Sequence, residues 1–253
     1  MTKREVNAVF VQAYKDISLQ LNDMVEKLDE VNFSEAIKYN RLSNLKKNVN
    51  EVLRDATGKL QKSIDTDKVI AFKKQYKGFL EQTENKLDIK AFSILPMETI
   101  RGYIDQPISG LTLKELMKDI SDKTIMNVNS TIVRNLIKGS SISKTARELK
   151  KVMNTTASRS KTIALTETLR STSLGAQASV ERLAEIGIKS ELIWEHNNVG
   201  KTNREQHVSM SGTESKNGFF TLPDGTKTRG PRLSGSAKHD ISCHCSVRIS
   251  VKE

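Results

Sequence analysis

Four side chains near the end of this chain have the chemistry of metal ligands. His207, His239, Cys243 and Cys245 supply two imidazoles and two thiols, a donor set that suits a tetrahedral structural zinc ion. A loop-rich stretch of about 60 residues with little apolar content would draw much of its folding energy from such an ion. The Cys-X-Cys spacing is tighter than the usual two to four intervening residues. A disulfide between residues two apart would be strained, so the two thiols read either as metal-binding or as incidental. The competing interpretation is that each histidine is a packed or solvent-facing residue. His244, between the cysteines, is expected to point away. A further arrangement, with His196, His207, His239 and His244 beside Asn197 and Asn198, would suit a one-metal phosphodiesterase. No Asp or Glu pair at ligand spacing and no nucleophile–base pair supports it.

A second cluster lies upstream, in Arg159-Ser160-Lys161-Thr162-Ile163-Ala164-Leu165-Thr166-Glu167-Thr168-Leu169-Arg170. On a helix, Ile163, Glu167 and Arg170 share a face. Glu167 is then either a buried carboxylate that needs a cation or half of an exposed ion pair worth roughly 0.2–0.5 kcal/mol; spacing alone favours the second. Ser171-Thr172-Ser173 resembles an element of ADP-ribosyltransferases. That element belongs on a strand and is followed by Glu-X-Glu, whereas here the run continues a helix and no such pair follows.

These residues must be positioned by the elements around them. Val6, Phe10, Ala13, Ile17, Leu21, Met24 and Leu28 recur at steps of three and four, a helical stripe. Asn32-Phe33-Ser34 interrupts it, with Ser34 as N-cap. Leu42, Leu45, Val49, Val52, Ala56, Leu60 and Ile64 form a second stripe, and the two predict an antiparallel hairpin. Asp65-Thr66-Asp67 is expected to open a third helix carrying Val69, Phe72, Tyr76, Phe79 and Leu80. Residues 88–112, with Pro96, Gly102, Pro107 and Gly110, read as a connector. Further helices are expected from 112 to a stop at Gly139, from a cap at Ser143 to Met153, and from Ser158 to a stop at Gly187. After residue 188 glycine becomes frequent. Strands are expected over Ile188–Trp194 and Ser246–Val251, the second with Val247, Ile249 and Val251 on one face. The fold class is therefore mainly α with a small α+β C-terminal module. The expected division is a helical domain, 1–110, and a second domain, 111–253, made of helices over 112–187 and the module 188–253.

The chain has 253 residues, with 36% hydrophobic, 5% aromatic and 28% charged, and a formal net charge of +11. Low aromatic and high charged content fits a helix-rich protein. The surplus of positive charge points to an anionic partner, typically nucleic acid. The basic, turn-rich segment Gly218–Ser236 and its surroundings offer Lys227, Arg229, Arg232 and Lys238 as DNA-contact candidates. No apolar stretch reaches the roughly 18–20 residues of a membrane span, and no signal-peptide apolar run follows the first residues. The expectation is a protein made in cytoplasm and used there or in a particle assembled there.

The ordered motifs resemble one family. A helix with Ile-Ala-X-Thr-Glu-Thr-X-Arg is followed by a glycine turn, a strand with Trp, Arg-X-X-His, Met-X-Gly, a Gly/Pro-rich loop and a terminal Cys-X-Cys before a strand. Over about residues 139–251 this order resembles phage Mu F-like head-morphogenesis proteins, which are minor capsid proteins. Thr166, Glu167 and Arg170 match the helix signature, Trp194 the strand aromatic, and Gly212 the glycine. Arg204 and His207 match a pair that some members replace with cysteines. His239, Cys243 and Cys245 match a terminal His…Cys-Arg-Cys, with His244 in place of the usual Arg and one extra residue after His239. The resemblance implies a structural minor head protein inside the virion, near the portal vertex. Its implied partners are the portal protein, other head proteins and non-specific double-stranded DNA. It implies no catalytic activity and supports Zn2+ at the His/Cys positions. The alternative class is a metal-dependent nuclease or toxin-like effector acting on nucleic acid.

Overall fold

A computed structural model describes residues 3–29, 35–107, 110–199 and 204–252, and leaves out the side chains of 3–4, 25–29 and 35–39. The expected cap at Ser34 lies outside the described residues, as does the Leu28 side chain. The described chain is mainly helical, with short antiparallel strands near its end. Its helices are α1 (Lys3–Asp29), α2 (Glu35–Leu87), α3 (Met97–Ile104), α4 (Leu113–Ile137), α5 (Ile142–Glu185), α6 (Glu205–Val208) and α7 (Ala237–Asp240). Its strands are β1 (Ser190–Glu195), β2 (Phe220–Thr221), β3 (Lys227–Thr228) and β4 (Ser246–Val251). No helix among the described residues is long and apolar enough to cross a membrane.

Two expected breaks are absent. Asp65-Thr66-Asp67 sits inside the continuous helix α2. Asp65 caps nothing; it takes a bidentate pair from Arg101 of α3, at 2.6 and 2.8 Å. That guanidinium holds the Asp65 carboxyl below its usual range. The expected gap between Met153 and Ser158 is likewise helical. Thr155 and Thr156 donate their hydroxyls to the carbonyls of Lys151 and Val152, which lets threonine stay within a helix. The cap of α5 is Ser141, whose hydroxyl accepts from the Lys144 amide, so the helix starts two residues before the expected site. Gly139 and Gly187 do end α4 and α5, both with positive φ. The Ile188 amide reaches back to the Leu183 carbonyl in the bond expected of a glycine-terminated helix.

The chain forms two compact units that interleave in sequence: residues 1–63 with 114–161, and residues 64–113 with 162–253. The first is helical. Val6, Phe10, Ala13, Ile17, Leu21 and Met24 of α1 are buried, as are Leu45, Val49, Leu53, Ala56 and Leu60 of α2. Leu53, rather than Val52, completes the second stripe. Polar bonds also join this unit. Thr124 and Thr156 share a buried hydroxyl contact at 3.0 Å, and Glu148 accepts from both Arg134 and Asn135.

The second unit packs the later parts of α2 and α5, α3 and the C-terminal strands around one core. Phe72, Leu80, Ile100, Ile104, Trp194 and Phe220 are its largest fully buried side chains. β1 and β4 pair antiparallel, Ser190 opposite Val251 through Glu195 opposite Ser246. β2 and β3 pair separately as a short antiparallel hairpin. Small residues let α5 approach α2. At Gly175 an added Cβ would lie 2.5 Å from the Phe72 carbonyl oxygen, and the Ser179 hydroxyl contacts the Tyr76 carbonyl at 3.2 Å. Below this contact Lys68 and Glu167 form a buried ion pair, Nζ to Oε2 at 3.2 Å. Glu167 is thus the buried carboxylate and not half of an exposed pair.

Two experiments test this packing. Gly175→Ala should lower stability by about 1–3 kcal/mol through overpacking. Gly78→Ala, on an exposed turn of α2 where an added Cβ meets nothing within 4 Å, should raise it by about 0.5–1 kcal/mol; thermal melting of both variants is the check. Lys68→Met should cost about 3–5 kcal/mol by leaving a buried carboxylate unpaired, and adding Glu167→Leu should recover most of that loss. Urea denaturation of the single and double variants would show it, and equal losses in both would contradict the pairing.

Candidate metal centre

The β1–β4 register builds the site. Trp194 lies opposite Val247 and Glu195 opposite Ser246. One step further along the same ladder brings His196 beside Cys245. Side chains on a strand alternate between faces. The buried set Val247 and Ile249 continues backward through Cys245 and Cys243, so both sulfurs share a side and His244 falls on the other. The preceding turn needs a left-handed Ser242 (φ 55°), and the Ser242 amide is fixed by the Thr166 hydroxyl of α5 at 3.3 Å. Arg204 holds the same loop through the Ile241 carbonyl at 2.6 Å. Its own carbonyl starts α6, which carries His207.

His207, Cys243 and Cys245 converge. Their donor atoms lie within 4.8 Å of one another, and all three residues are buried. His207 Nδ1 is 3.5 Å from the Cys243 sulfur and 3.8 Å from that of Cys245. His239 does not join the cluster but stands behind His207. Its Nδ1 is 3.2 Å from His207 Nε2, and its Nε2 is 2.9 Å from Asp224 Oδ2. Trp194 packs edge-on against the His207 ring at 5.5 Å.

This chain of contacts fixes protons. The Asp224 carboxyl is held far below its usual range, first by its Lys238 partner and then by the Thr226 amide, so it acts only as an acceptor. With both rings neutral, His239 Nε2 carries the proton donated to Asp224. His239 Nδ1 then accepts from His207 Nε2–H, and His207 Nδ1 turns a lone pair towards the two sulfurs. A metal-ligating imidazole characteristically donates its other N–H in this way.

The thiols are polarised. Cys243 is held well below the usual thiol range, chiefly by the hydrogen bond donated from Cys245, with the Arg232 guanidinium adding to it against burial. Cys245 is pushed up by giving that bond and by burial. One thiolate is thus already favoured, and a cation would displace the remaining proton. Reactive cysteines sit in partly exposed surroundings, whereas Cys243 is 2% exposed. The arrangement suits ligation better than nucleophilic attack.

The other candidate residues position the centre or lie on the surface. Gly212 adopts φ 84° and donates to the Trp194 carbonyl at 2.8 Å. Arg170 donates to the Gln106 carbonyl at 3.1 Å. Ser171-Thr172-Ser173 lies within α5, and Ser173 accepts from Arg232. Among the DNA-contact candidates, Lys227 is exposed. Arg229 lies over the Phe219 ring and near Glu181, and Lys238 pairs with Asp224. Arg232 corrects its expectation: it is 3% exposed, and its guanidinium donates inward to the Cys243 and Cys245 carbonyls at 2.8 and 2.6 Å. The structural importance of Asp224 was not legible in the sequence, and the nearness of His196 to Cys245 was visible only through the strand register.

The chain is 23% identical to minor head protein GP7 of Bacillus phage SPP1, over 97% of this chain and 80% of that protein. It is 25% identical to NAD(+)–arginine ADP-ribosyltransferase EFV of Enterococcus faecalis, over 97% of this chain but 50% of that protein. It is 27% identical to the uncharacterized protein YqbB of Bacillus subtilis, over 69% of this chain and 58% of that protein. It therefore spans 50% and 58% of the length of two of these three relatives. No solved structure matches it. Residues 126–248 match the model of Phage Mu protein F like proteins, a segment that contains His207, Cys243, Cys245 and the α5 signature.

Proposed function

We propose that this protein is a structural minor head protein of a tailed phage, acting in head morphogenesis at the portal vertex inside the capsid, in contact with packaged DNA. The observation that carries the reading is the family match over 126–248, extended by the likeness to a minor head protein along almost the whole chain. The long helices of region 1–110 and the start of 111–253 would contact the portal and other head proteins, as amphipathic helices do. The net charge of +11 supports DNA as the anionic partner, with Lys227, Arg229 and Lys238 as the surface contacts and Arg232 excluded by burial. Ejection with the genome would fit the same position.

The His/Cys centre is assigned to zinc in a structural role. Thiolate and imidazole donors in a buried pocket suit that ion. The buried Trp194 indole N–H has no hydrogen-bond partner and lies beside Cys245, whose sulfur would become a thiolate acceptor for it once metal-bound.

Two experiments test these assignments. Protein purified without chelator should contain about one zinc per chain by elemental analysis, and Cys243→Ser should abolish it; metal-free wild type would remove the zinc assignment. Binding to duplex DNA, followed by mobility shift, should be independent of sequence and fall steeply as salt rises from 50 to 200 mM. Absence of binding at low salt would end the DNA role. Plasmid cleavage with divalent metals that is lost in His207→Ala would instead select the nuclease alternative.

A further inference from the structure

We infer that the fourth ligand of this centre is His196, and that His239 with Asp224 forms a positioning relay behind His207. The inference rests on the zinc reading above and goes beyond it by exchanging one ligand and assigning a role to two residues.

The deciding observation is how each imidazole uses its nitrogens. His239 has both committed, Nδ1 to His207 and Nε2 to Asp224. Ligation by His239 through Nδ1 would break its bond to His207 and strand that buried ring nitrogen. His196 has neither nitrogen on an oxygen or another nitrogen. Its Nδ1 faces the Cys245 sulfur at 3.7 Å, and its Nε2 is buried without a partner. A half-buried imidazole whose Nδ1 faces a thiol sulfur, with no oxygen or nitrogen partner of its own, is what a metal would use.

The separations agree with a coordination shell. Zinc bonds of roughly 2.3 Å to sulfur and 2.0–2.1 Å to nitrogen, at tetrahedral angles, put neighbouring S and N atoms about 3.6 Å apart. The observed N···S separations are 3.5, 3.8 and 3.7 Å for His207–Cys243, His207–Cys245 and His196–Cys245. His196 stands on the Cys245 edge, outside the tighter three-residue cluster, and a bound ion would draw its ring inward. Its position follows from the strand ladder: it is the next residue after Glu195, which pairs with Ser246. Three segments are then tied to one ion: the end of β1, helix α6 and the loop before β4.

The relay has a separate job. Asp224 and His239 hold His207 in the tautomer that presents Nδ1 to the metal. Loss of such an outer partner typically costs 10–100-fold in metal affinity while leaving the ligands in place.

Cobalt(II) substitution of the full chain tests both assignments, because thiolate-to-cobalt absorption and visible d–d bands report ligand number and type. Wild type should bind one Co2+ with a four-coordinate, two-thiolate spectrum. His196→Ala should weaken binding more than 100-fold and lose the four-coordinate bands. His196→Cys should restore them with a stronger thiolate band, a gain that only a residue in the coordination shell can produce. His239→Ala and Asp224→Asn should keep the four-coordinate spectrum with 10–100-fold weaker binding. A wild-type spectrum in His196→Ala, or an unchanged thiolate band in His196→Cys, would overturn the His196 assignment. Loss of the four-coordinate bands in His239→Ala alone would make His239 the ligand. If wild type binds neither Co2+ nor Zn2+, the zinc reading itself fails, an outcome distinct from failure of the ligand exchange.

Discussion

The orientation of two sulfurs towards one imidazole depends on a buried arginine. Arg232 donates to the Cys243 and Cys245 carbonyls and to the Ser173 hydroxyl, so a single guanidinium ties the cysteine loop to α5. Burying an ion costs several kcal/mol even after relaxation. Three strong acceptors and the nearby thiolate offset that cost. Arg232 itself has a left-handed backbone, φ 64°, which a non-glycine residue holds only when its surroundings over-determine it. The loop is fixed from other sides by Thr166 on the Ser242 amide and by Arg204 on the Ile241 carbonyl. Asp240 closes the remaining turn by accepting from Ser234 and Gly235.

The same logic gives the α5 signature a meaning. Thr166, Glu167 and Arg170 each connect the helix to a different element: the cysteine loop, Lys68 of α2 and the Gln106 carbonyl after α3. The signature is a hub where one helix meets three partners, and the small residues Gly175 and Ser179 allow its next turns to close on α2. A buried Lys–Glu pair is weak evidence for net stability against an apolar substitute. Its effect here is to fix how the helices meet, because neither charge can be buried without the other.

Much of this was legible in the sequence, for identifiable reasons. The α1 stripe, the glycine stops at 139 and 187, and the terminal strand follow local rules of periodicity and capping. Convergence of His207 with the two cysteines was readable from donor chemistry. What escaped depends on partners distant in sequence. Asp65-Thr66-Asp67 reads as a helix start until Arg101, 36 residues away, takes up the carboxylate. Glu167 looked exposed because its cation, Lys68, is a hundred residues upstream. Arg232 looked like a surface cation in a basic loop, and only tertiary structure turns it inward. His239 sat at the expected place in the motif, yet its second nitrogen belongs to Asp224.

The residues of the centre also say why a metal would matter more here than another hydrogen bond. His207 and Cys243 are 36 residues apart, and His196 and Cys245 are 49 apart. A crosslink between points that distant removes more freedom from the unfolded chain than a local one does. The strands it would brace, β1 and β4, form a two-stranded sheet of six residues a side, and an isolated pair of strands is marginally stable at best in water. The helices of the first unit have long apolar stripes and need no such brace. Metal removal should therefore loosen the segment after residue 188 first, while the helical stripes of residues 5–24 and 45–60 stay packed.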